Sequence, residues 1–563
     1  MLRTFETSTL RRKTDLSGLW HLTAGGFSQS AYVPGCVECV PGLENYRGIS
    51  VYERKIMCAG NVIFSFSGVS RFARVLLDGK ELGAHEGPYT GFSVVAAALS
   101  AGEHLLRVEA DNRLGEESAL SVPNDYMTYG GITRACMAEE VGNAYLSNLT
   151  LVPEGRDGQW SLRVRVRANS VLDPFEGTIR CEIGGHIFTL GGVCVPGGSF
   201  ADIDDTFDVP CAKAWSPEDP CMTPVRCVLS IDGFDADDLI DRTGFRTVRI
   251  SGREILLNGR PVKIKGFNRH EDHALYGCAL PPAAMAADIQ IIRSLGGNAV
   301  RTSHYPNDPY FLDLCDEAGI LVWEESHARG LHRDQMLRPG FLPQSIQCVR
   351  EMILRDISHP SIFIWGLLNE CAADCSECVP IYEQLVSLIR SLDPSRPVTS
   401  ATCRPAASVN GKTFRPAPGH YDGDATLHLY DVISFNCYPG WYLDIPSDEY
   451  IRNVRAWAEA NGGKDKPFIV SEIGAGAIYG FRSAARAKWS EERQADILRE
   501  QLTGVMDHSG ITGVFIWQLS DCRVSDEWFA ARPRTMNNKG VTDEYRRMKL
   551  SCSTVKEIFM ADG

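Results

Sequence analysis

The sequence predicts a multidomain β plus α/β chain: two β-sandwiches followed by a C-terminal (β/α)8 TIM barrel. Three observations carry this. Residues 15–243 alternate apolar and polar positions in short runs separated by Gly, Pro, Asp and Asn. From residue 262 onward, eight apolar runs alternate with amphipathic helical runs. At 563 residues the chain is long enough for three or four domains.

In the first half, VIFSFSGV (62–69), ARVLLDGKELG (73–83) and HLLRVEAD (104–111) read as strands, and Asp78-Gly79 as a hairpin turn. A second group follows in AYLSNLTLVPE, WSLRVRVRAN, GTIRCEIGG and VRCVLSIDG. The break between the groups falls near residue 145, giving expected domains at 1–145, 146–243 and 244–563. In the second half the candidate strands are VKIKGFN (262–268), NAVRTSH (298–304), ILVWEES (320–326) and FIWGLLNE (363–370). They continue with VTSATC (398–403), VISFNCY (432–438), FIVSEIG (468–474) and GVFIWQLS (513–520). Near-continuous apolar strands fit parallel pairing buried on both faces. Eight of them point to a closed barrel, and no Gly-rich dinucleotide fingerprint follows a strand.

Composition narrows the function. The chain is 44% hydrophobic and 23% charged, as a packed protein is, and carries a formal charge of −14. An acidic chain is a poor partner for nucleic acid. No run of 18 apolar residues is present, so no membrane span is expected. The N-terminus lacks the apolar core of a signal peptide, which makes the cytoplasm the expected location. The 19 cysteines then read as reduced thiols. Cys371, Cys375 and Cys378 form a cluster with no paired CxxC further on, and the CxxC of Cys36 and Cys39 falls in a segment that reads as loop, so plain thiols are expected rather than a zinc site. No metal or cofactor is expected.

Barrel active sites lie at the C-terminal strand ends. The fourth strand ends in Asn369-Glu370 and the seventh in Ser471-Glu472, so two carboxylates can face one pocket. Paired carboxylates are the equipment of glycoside hydrolysis, one as acid/base and one as nucleophile. Arg301, in the second strand, is expected beside a carboxylate; next to Glu472 it would lower that pKa and favour the ionised form.

HPSIFIWGLLNE (359–370) resembles the acid/base segment of glycoside hydrolase family 2. GFNRHEDH (266–273) and VRTSHYPNDPYFLDLCDEAGILVWEE (300–325) resemble its first three barrel strands. LLDGKELGAHEGPYTGF (76–92) resembles its N-terminal jelly-roll sugar-binding-like domain; an immunoglobulin-like β-sandwich is expected between jelly roll and barrel. The resemblance implies a retaining mechanism with Glu370 as acid/base, Glu472 as nucleophile and Tyr438 bonded to the nucleophile. It implies that Asn369 holds the sugar 2-hydroxyl, that His304 and His270 line the pocket floor, and that Trp517 offers a flat platform. RPRTMNNKG (532–540) fits the Asn-x-Lys-Gly pattern of β-glucuronidases, so Asn537 and Lys539 would bind a substrate carboxylate, with Arg532 and Arg534 adding positive charge. Asp125, Trp441 and Tyr442 match further sugar-side positions. The expectation is thus an exo-acting β-glucuronidase working on small or oligosaccharide glucuronides, as a dimer or tetramer. The alternatives are a β-galacturonidase or β-galactosidase of the same family, or a non-catalytic carbohydrate-binding protein.

Overall fold

A computed structural model describes residues 2–156, 158–210, 212–403, 423–526 and 531–561, with backbone alone at 408–409 and 412–413. Two long antiparallel strands, Ile49–Phe66 and Phe92–Asp111, form the spine of an eight-stranded N-terminal sheet. Alternation along the first of them buries Val62, Phe64 and Phe66 in a core shared with Val94 and Ala96. Asp78 (φ 50°) and Gly79 (φ 80°) join Phe72–Leu77 to Lys80–Glu86, as the hairpin signal requires.

A three-stranded sheet (Ala144–Arg156, Gln159–Ser170, Phe200–Asp208) then faces a four-stranded one. Their common core takes Leu162, Val164 and Val166 from one and Ile179, Cys181 and Ile183 from the other.

The second half closes into a barrel of eight parallel strands. They are β1 (Ile264–Arg269), β2 (Ala299–Thr302), β3 (Leu321–Glu325) and β4 (Ile362–Asn369). The remaining four are β5 (Val398–Thr402), β6 (Ile433–Asn436), β7 (Phe468–Ile473) and β8 (Gly513–Ile516). All eight apolar runs read from the sequence are strands here. The helix Pro309–Ala318 shows why the boundaries were legible. Asp308 caps its first turn through Tyr310 N, Pro309 opens it, and Gly319 (φ 68°) closes it.

Period-two alternation sorts the barrel side chains. Ala299, Leu321, Trp323 and Ile469 fill the interior, while Val300, Val322 and Val470 pack outward under the helices. The same alternation sends Arg301 and Glu325 inward with Ala299 and Leu321. On β7 a register irregularity between Val470 and Ile473 interrupts it beside Glu472.

The N-terminal half reaches over the barrel mouth through residues 118–135. Arg134 pairs with Glu271 at 2.7 Å, Tyr129 donates to Asp272 at 2.9 Å, and Met127 N donates to Arg523 O at 2.7 Å. These buried contacts hold Asp125 and Tyr126 above the strand ends. The described cysteines are all free thiols, and Cys371, Cys375 and Cys378 are buried ones. Among the described residues, no helix is long and apolar enough to cross a membrane.

Candidate active site

A cavity of about 400 Å³ opens at the C-terminal ends of the strands, lined by Asp125, Arg329, Glu370, Tyr438, Glu472 and Trp517. Asn436, Tyr442, Arg532 and Lys539 complete the part of the wall that matters chemically.

Arg301 organises its floor. The guanidinium is fully buried and gives Nε and Nη2 to Glu325 (2.8 and 3.0 Å), Nη1 to Glu472 (2.9 Å) and Nη2 to Asn369 Oδ1 (2.8 Å). Tyr438 donates its hydroxyl to the other Glu472 oxygen at 2.5 Å. Arg301 therefore does sit beside Glu472, but the expected net lowering does not follow. Burial outweighs the guanidinium and pushes the Glu472 carboxyl up to about 7, with the charge of Glu370 adding to the rise. The Arg301 fork is also shared, one cation serving two buried carboxylates.

Glu370 stands one residue past β4 with φ 52°, a left-handed conformation that ends the strand at the pocket. Its carboxylate accepts from Asn436 Nδ2 at 2.8 Å and from Arg329 Nη2 at 3.4 Å. Asn369 spends its oxygen on Arg301 and Asn436, while its buried Nδ2 has no partner among the described residues. A buried donor without an acceptor is costly unless a ligand supplies one.

His304 and His270 lie beneath, both buried. His304 stacks on Trp517 with centroids 5.0 Å apart and bonds Glu325 through Nδ1 at 2.7 Å. His270 meets Tyr305 through Nδ1 at 3.2 Å, and its Nε2 is unpartnered among the described residues. Burial drives both imidazoles down, His270 to about 3, so both are neutral.

The loop after β8 places Lys539 in the cavity wall. Its buried ammonium donates to Tyr442 Oη at 2.7 Å, and among the described residues no carboxylate pairs with it. Burial and the neighbouring Arg532 lower its pKa, while Tyr442 and Asp125 oppose them.

Several expected residues sit differently. Arg534 turns away to pair with Glu544, whose buried carboxylate needs a cation; Arg532 lines the cavity instead, paired with Asp125. Asp125 is thus held by Arg532 and by Asn537 Nδ2 (3.1 Å). Asn537 is fully buried behind it, bracing Asp125 and accepting from Lys539 N at 3.4 Å. Trp441 is not brought to the cavity. The turn at Gly440 (φ 75°) sends its indole against Trp489, edge-on at 5.0 Å, beside Ile497.

Glu325, Asn436 and Arg329, which bond the two glutamates or Arg301, were not singled out from the sequence. Glu325 and Asn436 are the last residues of β3 and β6, so the strand-end rule applied to every strand would have found them. Arg329, in the loop after β3, carried no such signal.

The geometry also speaks to metals. Asp313, Asp316 and His359 bring three ligand-type atoms together, but Arg3 and Thr4 N occupy Asp313, and His359 and Ser361 N occupy Asp316. That cluster ties the N-terminus to the barrel.

Removing the Tyr438 hydroxyl isolates its contribution. Tyr438→Phe deletes a hydrogen bond to a charged group, worth about 1.5–3 kcal/mol, so kcat/KM should fall roughly 10- to 150-fold. The bond favours the ionised carboxylate, so its loss raises the Glu472 pKa and the fall should be steepest on the acidic side. A pH series of initial rates checks both.

Residues 248–558 match the TIM barrel domain of glycosyl hydrolases family 2. A β-galacturonidase from Eisenbergiella tayi, solved with galacturonate bound, is 45% identical over the whole of both chains with a TM-score of 0.93. The β-glucuronidase of Sus scrofa is 25% identical, covering 98% of this chain and 91% of its own. The β-D-glucuronidase of Dictyoglomus thermophilum is likewise 25% identical, at 99% and 98% coverage and a TM-score of 0.81. With the barrel, its two strand-end glutamates and these likenesses in hand, the chain belongs to glycosyl hydrolases family 2 and is a glycoside hydrolase.

Proposed function

We propose that the chain is a retaining, exo-acting β-uronidase whose preferred substrates are β-D-galacturonides. The observation that carries the uronide reading is Lys539: a buried ammonium with no carboxylate partner among the described residues, in the same cavity as Glu370 and Glu472. A uronic acid brings the missing anion, and its charge would restore what burial removes from the lysine.

In this reading Glu472 attacks the anomeric carbon as Glu370 protonates the departing glycosidic oxygen, giving a covalent glycosyl-enzyme and a free aglycone. Glu370, now a carboxylate, takes a proton from water. The hydroxide oxygen displaces Glu472, releasing the uronic acid with its β configuration kept. Tyr438 and Arg301 offset the negative charge on Glu472 before attack. Asn369 Nδ2 donates to the sugar 2-hydroxyl oxygen, and the Trp517–His304 stack supports the ring.

Galacturonide rather than glucuronide is supported by the full-length likeness to the Eisenbergiella tayi enzyme, at 45% identity against 25% for the glucuronidases compared. The glucuronide reading rests on those relatives and on the Asn-x-Lys-Gly pattern that Asn537, Lys539 and Gly540 fit. Initial rates on p-nitrophenyl β-D-galacturonide, β-D-glucuronide and β-D-galactoside separate them. Galacturonide is expected to be fastest. Glucuronide in first place would transfer the preference, and galactoside in first place would remove Lys539 from substrate recognition.

A further inference from the structure

We propose that Glu325 is a positioning residue that sets the charge on the nucleophile: it competes with Glu472 for Arg301 and fixes the orientation of His304. This rests on the reading of Glu472 as nucleophile and deepens it.

The geometry is specific. Arg301 has one charge and divides its N–H groups unequally, two to Glu325 and one to Glu472. Glu325 lies at the end of β3 with zero exposure; its backbone N–H donates to Thr302 Oγ1 at 3.0 Å, and its carboxylate is held by Arg301 on both oxygens. Its Oε1 also meets His304 Nδ1 at 2.7 Å. The groups facing Glu325 are Arg301 and His304 from β2 and its loop, Glu472 from β7, Glu370 after β4, Tyr126 from the overlying segment and Cys371. Glu472 in turn faces Arg301, Glu325, Glu370, Tyr438, Cys437 and Arg329.

With Glu325 and Glu472 both ionised, the Arg301 fork carries one positive charge against two negative ones, out of water. A buried set with excess charge retains a proton, and burial raises Glu325 as it raises Glu472, each to about 7. The neutral His304 donates Nδ1–H to Glu325, which fixes the ring that stacks on Trp517 and leaves Nε2 as an acceptor. Glu325 thus delays ionisation of the nucleophile as pH rises while it holds both Arg301 and the pocket floor in place.

The test is the pH profile of Glu325→Gln. A glutamine keeps the shape and deletes the charge, so Arg301 serves Glu472 alone. The acidic limb of kcat/KM should move to lower pH by about one unit or more. The plateau kcat should fall roughly tenfold or more, as Arg301 and His304 lose a charged partner. Glu325→Asp keeps the charge, so its limb should stay with the wild type while its plateau falls. A Glu325→Gln limb at the wild-type position, with only a uniform loss, would make the residue a packing element and overturn the proposal.

Should changes at position 325 unfold the chain, Glu472→Gln gives the reciprocal reading by infrared titration. With its competitor gone, the Glu325 carboxyl should ionise at lower pH than in the wild type, and an unchanged titration contradicts the coupling. Glu472→Gln also separates the two readings. If it still turns over substrate, the nucleophile assignment fails. If it is inactive but Glu325→Gln leaves the limb in place, only the role of Glu325 fails.

Discussion

Glu472→Gln should abolish turnover, by roughly 10⁴- to 10⁶-fold in kcat, the scale on which losing a nucleophile acts. The carboxamide matches the carboxylate in shape and can still meet Arg301 and Tyr438, but it cannot form the glycosyl-enzyme. The same change should leave the fold intact and stabilise it above neutral pH. Glu472 titrates near 7 in the folded chain, above the ordinary 4.5. A carboxyl raised on folding binds its proton more tightly in the native state, so its ionisation weakens the native state as pH rises from 4.5 through 7. Glutamine carries no such penalty. The difference in thermal midpoint, variant minus wild type, should therefore grow across that window and level off above it. Circular dichroism melts at several pH values measure it. Loss of activity with loss of fold would assign Glu472 to the core instead.

The second large effect is on specificity. Lys539→Met keeps most of the apolar stem and deletes the ammonium. Truncating one partner of a buried charged contact costs about 2–5 kcal/mol, so kcat/KM on the galacturonide should fall roughly 30- to 5,000-fold. Activity on the neutral galactoside, low to begin with, should change little or rise, because a buried cation without an anion disfavours the neutral sugar. The ratio of the two kcat/KM values is the readout. Equal losses on both substrates would mean that Lys539 supports the loop rather than reading the carboxylate.

The barrel was legible because strand and helix periods differ and each barrel strand is an unbroken apolar run. All eight emerged, and helix ends such as Asp308 and Gly319 carried their own chemistry. The strand-end rule placed Glu370 and Glu472 in one cavity. What the sequence could not give was the division of Arg301 between two carboxylates, because Glu325 and Glu472 lie 147 positions apart in the chain and meet only through closure of the barrel. The choice between Arg532 and Arg534 was equally hidden. Two arginines two positions apart in a basic loop look alike until Glu544 claims one and Asp125 the other. Trp441 was misplaced for a local reason, the turn at Gly440, which swings it behind the wall that Tyr438 and Tyr442 line.

Trapping the glycosyl-enzyme tests the double displacement most directly. A 2-deoxy-2-fluoro-β-D-galacturonyl fluoride slows the second step more than the first, so the covalent species accumulates and peptide mass spectrometry locates it. The label should fall on Glu472, in the peptide that holds Phe468–Ile473. A label on Glu370 or Glu325, or an inverted product with no covalent species, would contradict the assignment of nucleophile and acid/base.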